Sequence, residues 1–285
     1  METDAAIRER YLADGLTPHV VAAFRDLVYR HYRENGRPMP WRETRDPYRV
    51  LVSEVMLQQT QVERVRTKYD AFLARFPDTA ALAAASLADV LAAWQGLGYN
   101  RRALALKRAA EAVVADHGGA FPRSVAALEK LPGIGPYTAR AVATFAWGEA
   151  HPFIETNIRT VFIHFFFHDG DTVHDRELLP LVAGTLDGDN PRDWFYALMD
   201  YGVWLKKTLP NPGRRSAHHA RQSLFKGSNR ELRSRILREI LAAPGRTAAQ
   251  LTERLGEPAE RVTRNLEALA AEGLVAASGA GYRVP

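Results

Sequence analysis

The stretch LPGIGPYTARAVATFAWG, from Leu131 to Gly148, constrains this chain more than any other. The preceding segment SVAALEK has helical spacing, and Pro132 ends it. Gly133 and Gly135 open backbone angles closed to other residues. Pro136 suits the first position of a new helix, which YTARAVATFAW continues. The result is a hairpin of two helices. Its Gly-Ile-Gly turn leaves bare N–H groups at the N-terminus of the second helix, an end that attracts anions and phosphate above all. An ordinary helix–turn–helix corner has the same spacing, so the motif by itself leaves both readings open.

Helical spacing recurs along most of the chain. PHVVAAFRDLVYRHYREN, YRVLVSEVMLQQTQVERV, SLADVLAAWQ, RALALKRAAEAVVADHG and PRDWFYALMDYGVWLKK each place apolar residues three and four apart. Gly and Pro punctuate them at NGRPMP, RFPDT, GLGYN and HGGAFP. An all-α fold follows. With 285 residues, two domains are expected. No run of 18 apolar residues exists, so no membrane-spanning helix is expected. METDAAIRERYLADG is neither a signal nor a transit peptide, which makes a cytoplasmic protein the simplest expectation. The chain has no cysteine, which excludes a disulfide, a thiolate metal site and a cysteine nucleophile.

The net charge of +5 is unevenly spread. Between Lys206 and Arg238 stand ten Lys or Arg against one acid, Glu231. A polyanion such as nucleic acid would explain this, and so would a solvated basic linker. TLPNPGRRSAHHARQSLFKGSNR breaks the periodicity and reads as an irregular linker. We therefore expect a helical domain over 1–205, a basic linker over 206–230 and a small domain over 231–285. In the last, three helices precede LVAASGAGYRV, which can fold as a hairpin around Gly279 and Gly281. That order resembles a winged helix, a unit that either sets its third helix in a DNA groove or docks another protein. This helix is expected to expose Arg261, Arg264 and Asn265.

Two carboxylates stand in apolar surroundings. Glu54 lies inside VLVSEVML, and Glu155 opens the helix ETNIRTVFIHFFF after Pro152. Burying a carboxylate is costly unless it is paired or protonated. Two carboxylates converging on one pocket can cleave a glycosidic bond, one as an acid for the leaving group and one as an anion facing a cationic transition state. Satisfied structural glutamates would look the same in sequence. His164, His168 and His174 lack the spacing of a metal site, and the aromatic run ending at His168 reads as core.

From about Pro40 to Tyr201 the chain resembles the helix-hairpin-helix DNA glycosylases of base excision repair, and within them the MutY-type adenine glycosylases. PMPWRETRDPYRVLVSEVMLQQTQV, WQGLGY, LPGIGPYTARAVATFAWG, NIRTV and ALMDYG follow in that family's order and spacing. The resemblance implies a two-lobed helical glycosylase domain acting on double-stranded DNA that carries a mismatch or damaged base. Glu54 matches the general acid that protonates adenine. Tyr137 stands where glycosylases with lyase activity carry a Schiff-base lysine, which implies a monofunctional enzyme. Asn157 matches an active-site asparagine. Trp41 and Arg42 match residues near the flipped base. Gln58, Gln59 and Tyr99 match residues that wedge into the duplex, while Gly133 and Gly135 match the turn that grips its backbone.

Three departures from the family stand out. Glu155 and Thr156 replace the family's aspartate and glycine. The stretch after MDYG reads VWLKKTLPNPGRRSAHHA where four cluster cysteines belong, so no iron–sulfur cofactor is expected, and packing by Trp204 can take its place. The winged-helix-like unit is expected to take the place of the family's domain for detecting 8-oxoguanine. The leading expectation is a monomeric, nucleoid-associated glycosylase without metal that excises adenine opposite 8-oxoguanine or guanine. Excision of thymine or uracil from mismatches with guanine is the alternative within enzymes. A non-catalytic DNA-binding protein is the alternative outside them.

Overall fold

The structure, a computed structural model, describes residues 2–168, 170, 172–219 and 224–285. In chain order its helices are α1 (Asp4–Asp14), α2 (Pro18–Asn35), α3 (Pro47–Leu57), α4 (Val62–Arg75), α5 (Thr79–Ala84), α6 (Leu87–Trp94), α7 (Arg101–His117), α8 (Val125–Leu128), α9 (Pro136–Trp147), α10 (Thr156–Phe166), α11 (Asp175–Gly184), α12 (Pro191–Thr208), α13 (Asn229–Ala242), α14 (Ala248–Leu255) and α15 (Ala259–Ala271). Strands β1 (Ala276–Ser278) and β2 (Gly281–Arg283) close the chain as an antiparallel pair. Among the described residues no helix is long and apolar enough to cross a membrane.

The chain forms two compact units, one of Met1–Pro47 with Pro136–Arg221, the other of Tyr48–Gly135 with Gln222–Pro285. Compactness thus groups the C-terminal helices with residues 48–135, across the boundaries that the sequence suggests at 205 and 230. The helix α12 carries on through Lys206 to Thr208, and α13 opens at Asn229 with Ser228 as its N-cap.

In the first unit the core is aromatic. Phe24 of α2 meets Phe162, Phe165 and Phe166 of α10 and Trp194 of α12, edge to face, with centroids 5.7, 5.0, 5.2 and 5.6 Å away. The run read as core is core at Phe165 and Phe166. His164 is buried and sits 2.6 Å from Asp4. Arg159 grips Asp175 with two bonds of 2.7 and 2.8 Å and fixes α10 against the start of α11.

In the second unit Trp94 and Phe72 pack with centroids 5.8 Å apart, and Leu51, Met56 and Leu82 are fully buried. Helix α14 begins with a capping box of Thr247 and Gln250 and ends at the left-handed Gly256, φ +62°. Helices α13 to α15 bury Ile236, Ile240, Leu251, Val262, Leu266 and Leu269. Ala277 pairs with Tyr282 in the β1–β2 hairpin, and a Cβ at Gly281 would collide with the backbone of Gly245. Asn265 departs from its expected exposure. It is 5 % exposed and donates to the Arg261 carbonyl at 2.8 Å, because its position on α15 turns inward with Leu266.

Candidate active site

The residues singled out divide between the units: Trp41, Arg42, Tyr137, Glu155 and Asn157 in the first, the others in the second. In the first, Glu155 is the N-cap of α10. Its Oε1 accepts from the backbone N–H of Asn157 at 2.7 Å and of Ile158 at 2.9 Å, and its Oε2 accepts from Asn157 Nδ2 at 3.2 Å. The carboxylate therefore lies at the positive end of the helix. Asn157 is held by this pair, while its Oδ1 is buried and has no hydrogen-bond partner.

Helix α12 presses directly on this end of α10. A Cβ at Gly202 would collide with the Asn157 backbone, so only glycine allows the approach. Lys206 lies one turn further along α12, half-buried. Burial pulls its amine below the ordinary lysine value, with Glu155 opposing the shift and Arg37 adding to it. Tyr137, near the start of α9, sets its ring edge-on to Phe153, with centroids 5.6 Å apart and planes at 84°. Phe153 in turn stacks on Phe195 at 3.8 Å.

Arg42 is committed within its own unit. Its guanidinium spans Asp200 with bonds of 2.9 and 2.8 Å, and its Cζ lies 4.5 Å from the Tyr196 centroid. Arg37 binds the same carboxylate through its backbone N–H and its Nε, both at 2.8 Å. Burial raises the Asp200 carboxyl, but Arg42 and Arg37 more than offset it and leave the group below the ordinary carboxylate value. Trp41 is buried beside it in sequence, at 5 % exposure.

In the second unit Glu54 sits within α3 at 7 % exposure, between the buried Ser53 and Val55. Gln59 and Tyr99 are the two non-glycine residues among those described with positive φ, at 54° and 49°. Such backbone is strained and persists only where the surroundings impose it. Arg102 imposes it. Its Nη1 donates to the carbonyls of Val55, Met56 and Gln58 at 2.7, 3.1 and 2.5 Å. Its Nη2 donates to Thr60 Oγ1, Leu97 O and Gly98 O at 3.0, 3.2 and 3.0 Å. One guanidinium thus ties the Gln58–Gln59 turn to the loop that carries Tyr99. Burial pulls Arg102 down to about 10.

Gly133 has φ +73°, and a Cβ there would stand 2.5 Å from that of Ala105 on α7. Gly135 differs: its φ is not positive, and nothing lies within 4 Å of where a Cβ would stand. Its value is open space at the turn, not backbone freedom. A cavity of about 750 Å³ borders this turn, lined by Arg101, Arg102 and Arg108 of α7, Pro132 to Ile134, and Ala268 and Ala271 of α15. Arg261 is tied to Glu257 at 2.6 Å and to the Gly227 carbonyl at 2.7 Å. Arg264 pairs with Glu260, with both side chains largely in solvent.

The chain cannot hold an iron–sulfur cluster through thiolates, since it has none. The residues after Gly202 do not fit one. Instead the turn Pro212–Arg215 lies on α10, with Gly213 against Thr160, and Arg215 donates to the Phe167 carbonyl at 2.8 Å. Trp204 packs on Tyr201 and His31, with centroids 5.0 and 5.2 Å away. Among the described residues no group of three or more His, Cys, Asp or Glu could hold a metal.

Sequence reasoning missed Asp200 and Arg102, and it read Lys206 only as one charge of the basic run. Arg102 follows GLGYNR, and an arginine just after a glycine-rich turn is a weak signal for carbonyl capping. The others act on residues too distant in sequence to be inferred.

The profile of the HhH-GPD superfamily of base excision DNA repair proteins matches residues 52–179. An adenine DNA glycosylase of Mycolicibacterium smegmatis is 36 % identical over 264 residues, covering 86 % of this chain and 89 % of that protein. The adenine DNA glycosylase of Homo sapiens is 37 % identical over 195 residues, covering 64 % of this chain and 36 % of that one. Among solved structures, a thermostable thymine-DNA glycosylase superposes with a TM-score of 0.57 at 27 % identity, covering 64 % of this chain and 86 % of that one. An endonuclease III trapped covalently on DNA superposes with a TM-score of 0.53 at 18 % identity, over 66 % of this chain and 85 % of that one, a likeness of fold alone.

Proposed function

We propose that this chain, which belongs to the HhH-GPD superfamily of base excision DNA repair proteins and within it to the adenine DNA glycosylases, hydrolyses the N-glycosidic bond of adenine mispaired with 8-oxoguanine or guanine. The observation that carries this reading is Glu54, a carboxyl at 7 % exposure within the apolar helix α3. A carboxyl so placed suits proton delivery to a purine ring. Ring protonation turns adenine into a neutral leaving group. The C1′–N bond breaks, the sugar becomes an oxocarbenium ion, and water adds to give an abasic site and free adenine.

Glu155 supplies the negative charge that faces the developing cation, with Asn157 fixed beside it by the cap of α10. Tyr137 has no amine, so no Schiff base forms there and the enzyme is monofunctional. The open turn at Gly133 and Gly135 receives a DNA phosphate on its backbone N–H groups. Gln58, Gln59 and Tyr99 enter the duplex as the base is flipped out, and the strained backbone at Gln59 and Tyr99 supports that role. Trp41 lines the base pocket, and Arg42 shapes it through Asp200. The C-terminal unit, read as a winged helix, binds DNA through Arg264. No cofactor takes part. Acting on DNA, the enzyme works in the cytoplasm at the nucleoid.

The test is a panel of labelled duplexes with adenine, thymine or uracil opposite guanine or 8-oxoguanine, each followed by alkali cleavage. Adenine release by wild type, abolished in Glu54→Gln with duplex affinity retained, is expected. Release of thymine without adenine would replace this reading with the second one. The likeness to the thymine-DNA glycosylase at 27 % identity is what favours that second reading.

A further inference from the structure

An alternation of rings and cations runs from the core of the second unit to its surface. Trp94 is fully buried. Arg102 lies 5.5 Å from the Trp94 centroid and 5.5 Å from that of Tyr99. Arg230, at the start of α13, lies 5.3 Å from the Tyr99 centroid and 6.0 Å from that of Phe225. Its Nη1 also donates to the Tyr99 hydroxyl at 2.7 Å, across 131 residues of sequence. The order is Trp94, Arg102, Tyr99, Arg230, Phe225. It starts in the core and ends on a ring that is 53 % exposed.

Phe225 stands on a built turn. Its carbonyl accepts from the backbone N–H of Ser228 at 3.1 Å and from the Ser228 hydroxyl at 2.6 Å. The next residues are anchored too: Gly227 donates to Glu231 at 2.5 Å and accepts from Arg261 at 2.7 Å. Leu224, just before it, is 87 % exposed. An aromatic ring held in water forgoes the stabilisation that burial gives it. Lys226 and Arg230 flank this ring in sequence. That charge suits the phosphates that flank a stack of bases.

We propose that Phe225 is a base-stacking residue: together with Tyr99 it enters the DNA, so that the wedge is made of two rings from distant parts of the chain. This rests on the reading of Tyr99 as a wedge residue of a DNA glycosylase. Arg230 sets the spacing of the two rings. Its charge attracts both ring faces and the phosphates alongside them. The segment that leads into α13 then contributes to the distortion of the duplex as well as to its affinity.

The test uses the full chain and a duplex with a tetrahydrofuran abasic analogue opposite guanine, so that binding does not depend on which base is excised. Fluorescence anisotropy gives the affinity of wild type, Phe225→Ala and Phe225→Trp. Removal of one base–ring stack is expected to weaken Phe225→Ala by roughly 5- to 150-fold. Phe225→Trp should bind within about twofold of wild type, since it keeps a π face. Equal affinity of Phe225→Ala and wild type, or a Phe225→Trp protein no better than Phe225→Ala, overturns the proposal. Because the ring is exposed, circular dichroism should show all three proteins equally folded. Base release from an adenine mispair is assayed in parallel. An inactive wild type counts against the glycosylase reading alone, and equal affinities count against the second ring alone.

Discussion

Glu155 and Asn157 form a closed pair at the N-terminus of α10: the carboxylate accepts from both the backbone and the side-chain nitrogen of the asparagine, at 2.7 and 3.2 Å. A glutamate is one methylene longer than the aspartate the resemblance implies at this position. The extra length is absorbed by folding the side chain back over its own helix, where it also meets Ile158 N–H at 2.9 Å. Charge and helix cap are therefore the same group.

These two roles separate by substitution. Glu155→Gln keeps an oxygen for the N–H groups and removes the charge. Single-turnover base release should fall on the order of 100- to 1000-fold, with the melting temperature little changed. Glu155→Ala removes the cap as well and should cost about 1 kcal/mol of stability in addition. Base release by Glu155→Gln within threefold of wild type would remove Glu155 from the chemistry.

Tyr137 makes a second expectation. Its ring is packed edge-on against Phe153, and a phenol cannot form an imine with a sugar aldehyde. Borohydride added during turnover should trap no enzyme–DNA adduct, and strand scission should need added alkali. Lys206 is the amine to watch, because burial holds it below the ordinary lysine value beside Glu155. A trapped adduct that disappears in Lys206→Met would show that this lysine, and not residue 137, supplies lyase chemistry.

Much of this site is visible in the sequence because its signals are local. The hairpin shows in the Gly and Pro spacing around Ile134, the helices in their apolar periodicity, and Glu54 as one acid in an apolar run. The β1–β2 hairpin shows in GAG. What stayed hidden is pairing between residues far apart in sequence. Arg42 reads as a site residue, yet its partner Asp200 is 158 positions away. Arg230 reads as one charge in a basic linker, yet it hydrogen-bonds Tyr99. Asn265 reads as exposed because one residue of rotation on α15 separates an outward position from an inward one. Charge density is likewise a poor guide to free charge: Arg233 pairs with Glu272, and Arg235 donates to Glu257 at 2.9 Å.

Asp200 ties stability to pH with a definite sign. Its folded-state affinity for protons is below the ordinary carboxylate value, through Arg42 and Arg37 acting against burial. Between the folded and unfolded values the unfolded chain binds more protons, so stability rises with pH across that window. The contribution is complete above the ordinary carboxylate range and is lost as pH falls through the folded value. Asp200→Asn leaves Arg42 buried without its counter-charge, which should cost about 3–5 kcal/mol at pH 7. Urea unfolding of both proteins from pH 7 to pH 3 should show this gap constant at first and narrowing below about pH 4. A gap that stays constant to pH 3 would mean that the charge of Asp200 is not what holds Arg42.

The arginines of α15 differ in how freely they can meet phosphate. Arg261 is held by two partners, Glu257 and the Gly227 carbonyl, and its side chain is 31 % exposed. Arg264 has one partner, Glu260, and the two side chains are 70 % and 83 % exposed. An exposed pair one helical turn apart contributes only a few tenths of a kcal/mol. Arg264 can therefore exchange Glu260 for a phosphate at little cost, whereas Arg261 would have to give up the turn beneath Phe225. Each phosphate that is no longer neutralised lowers the slope of log affinity against log salt by about 0.9 on duplex DNA. Arg264→Ala should lower that slope by roughly this amount. Arg261→Ala should leave it nearly unchanged and lower stability instead. The measurement is duplex affinity at four or more salt concentrations for each protein. A slope that falls with Arg261→Ala and not with Arg264→Ala would show that α15 meets DNA through the opposite set of side chains.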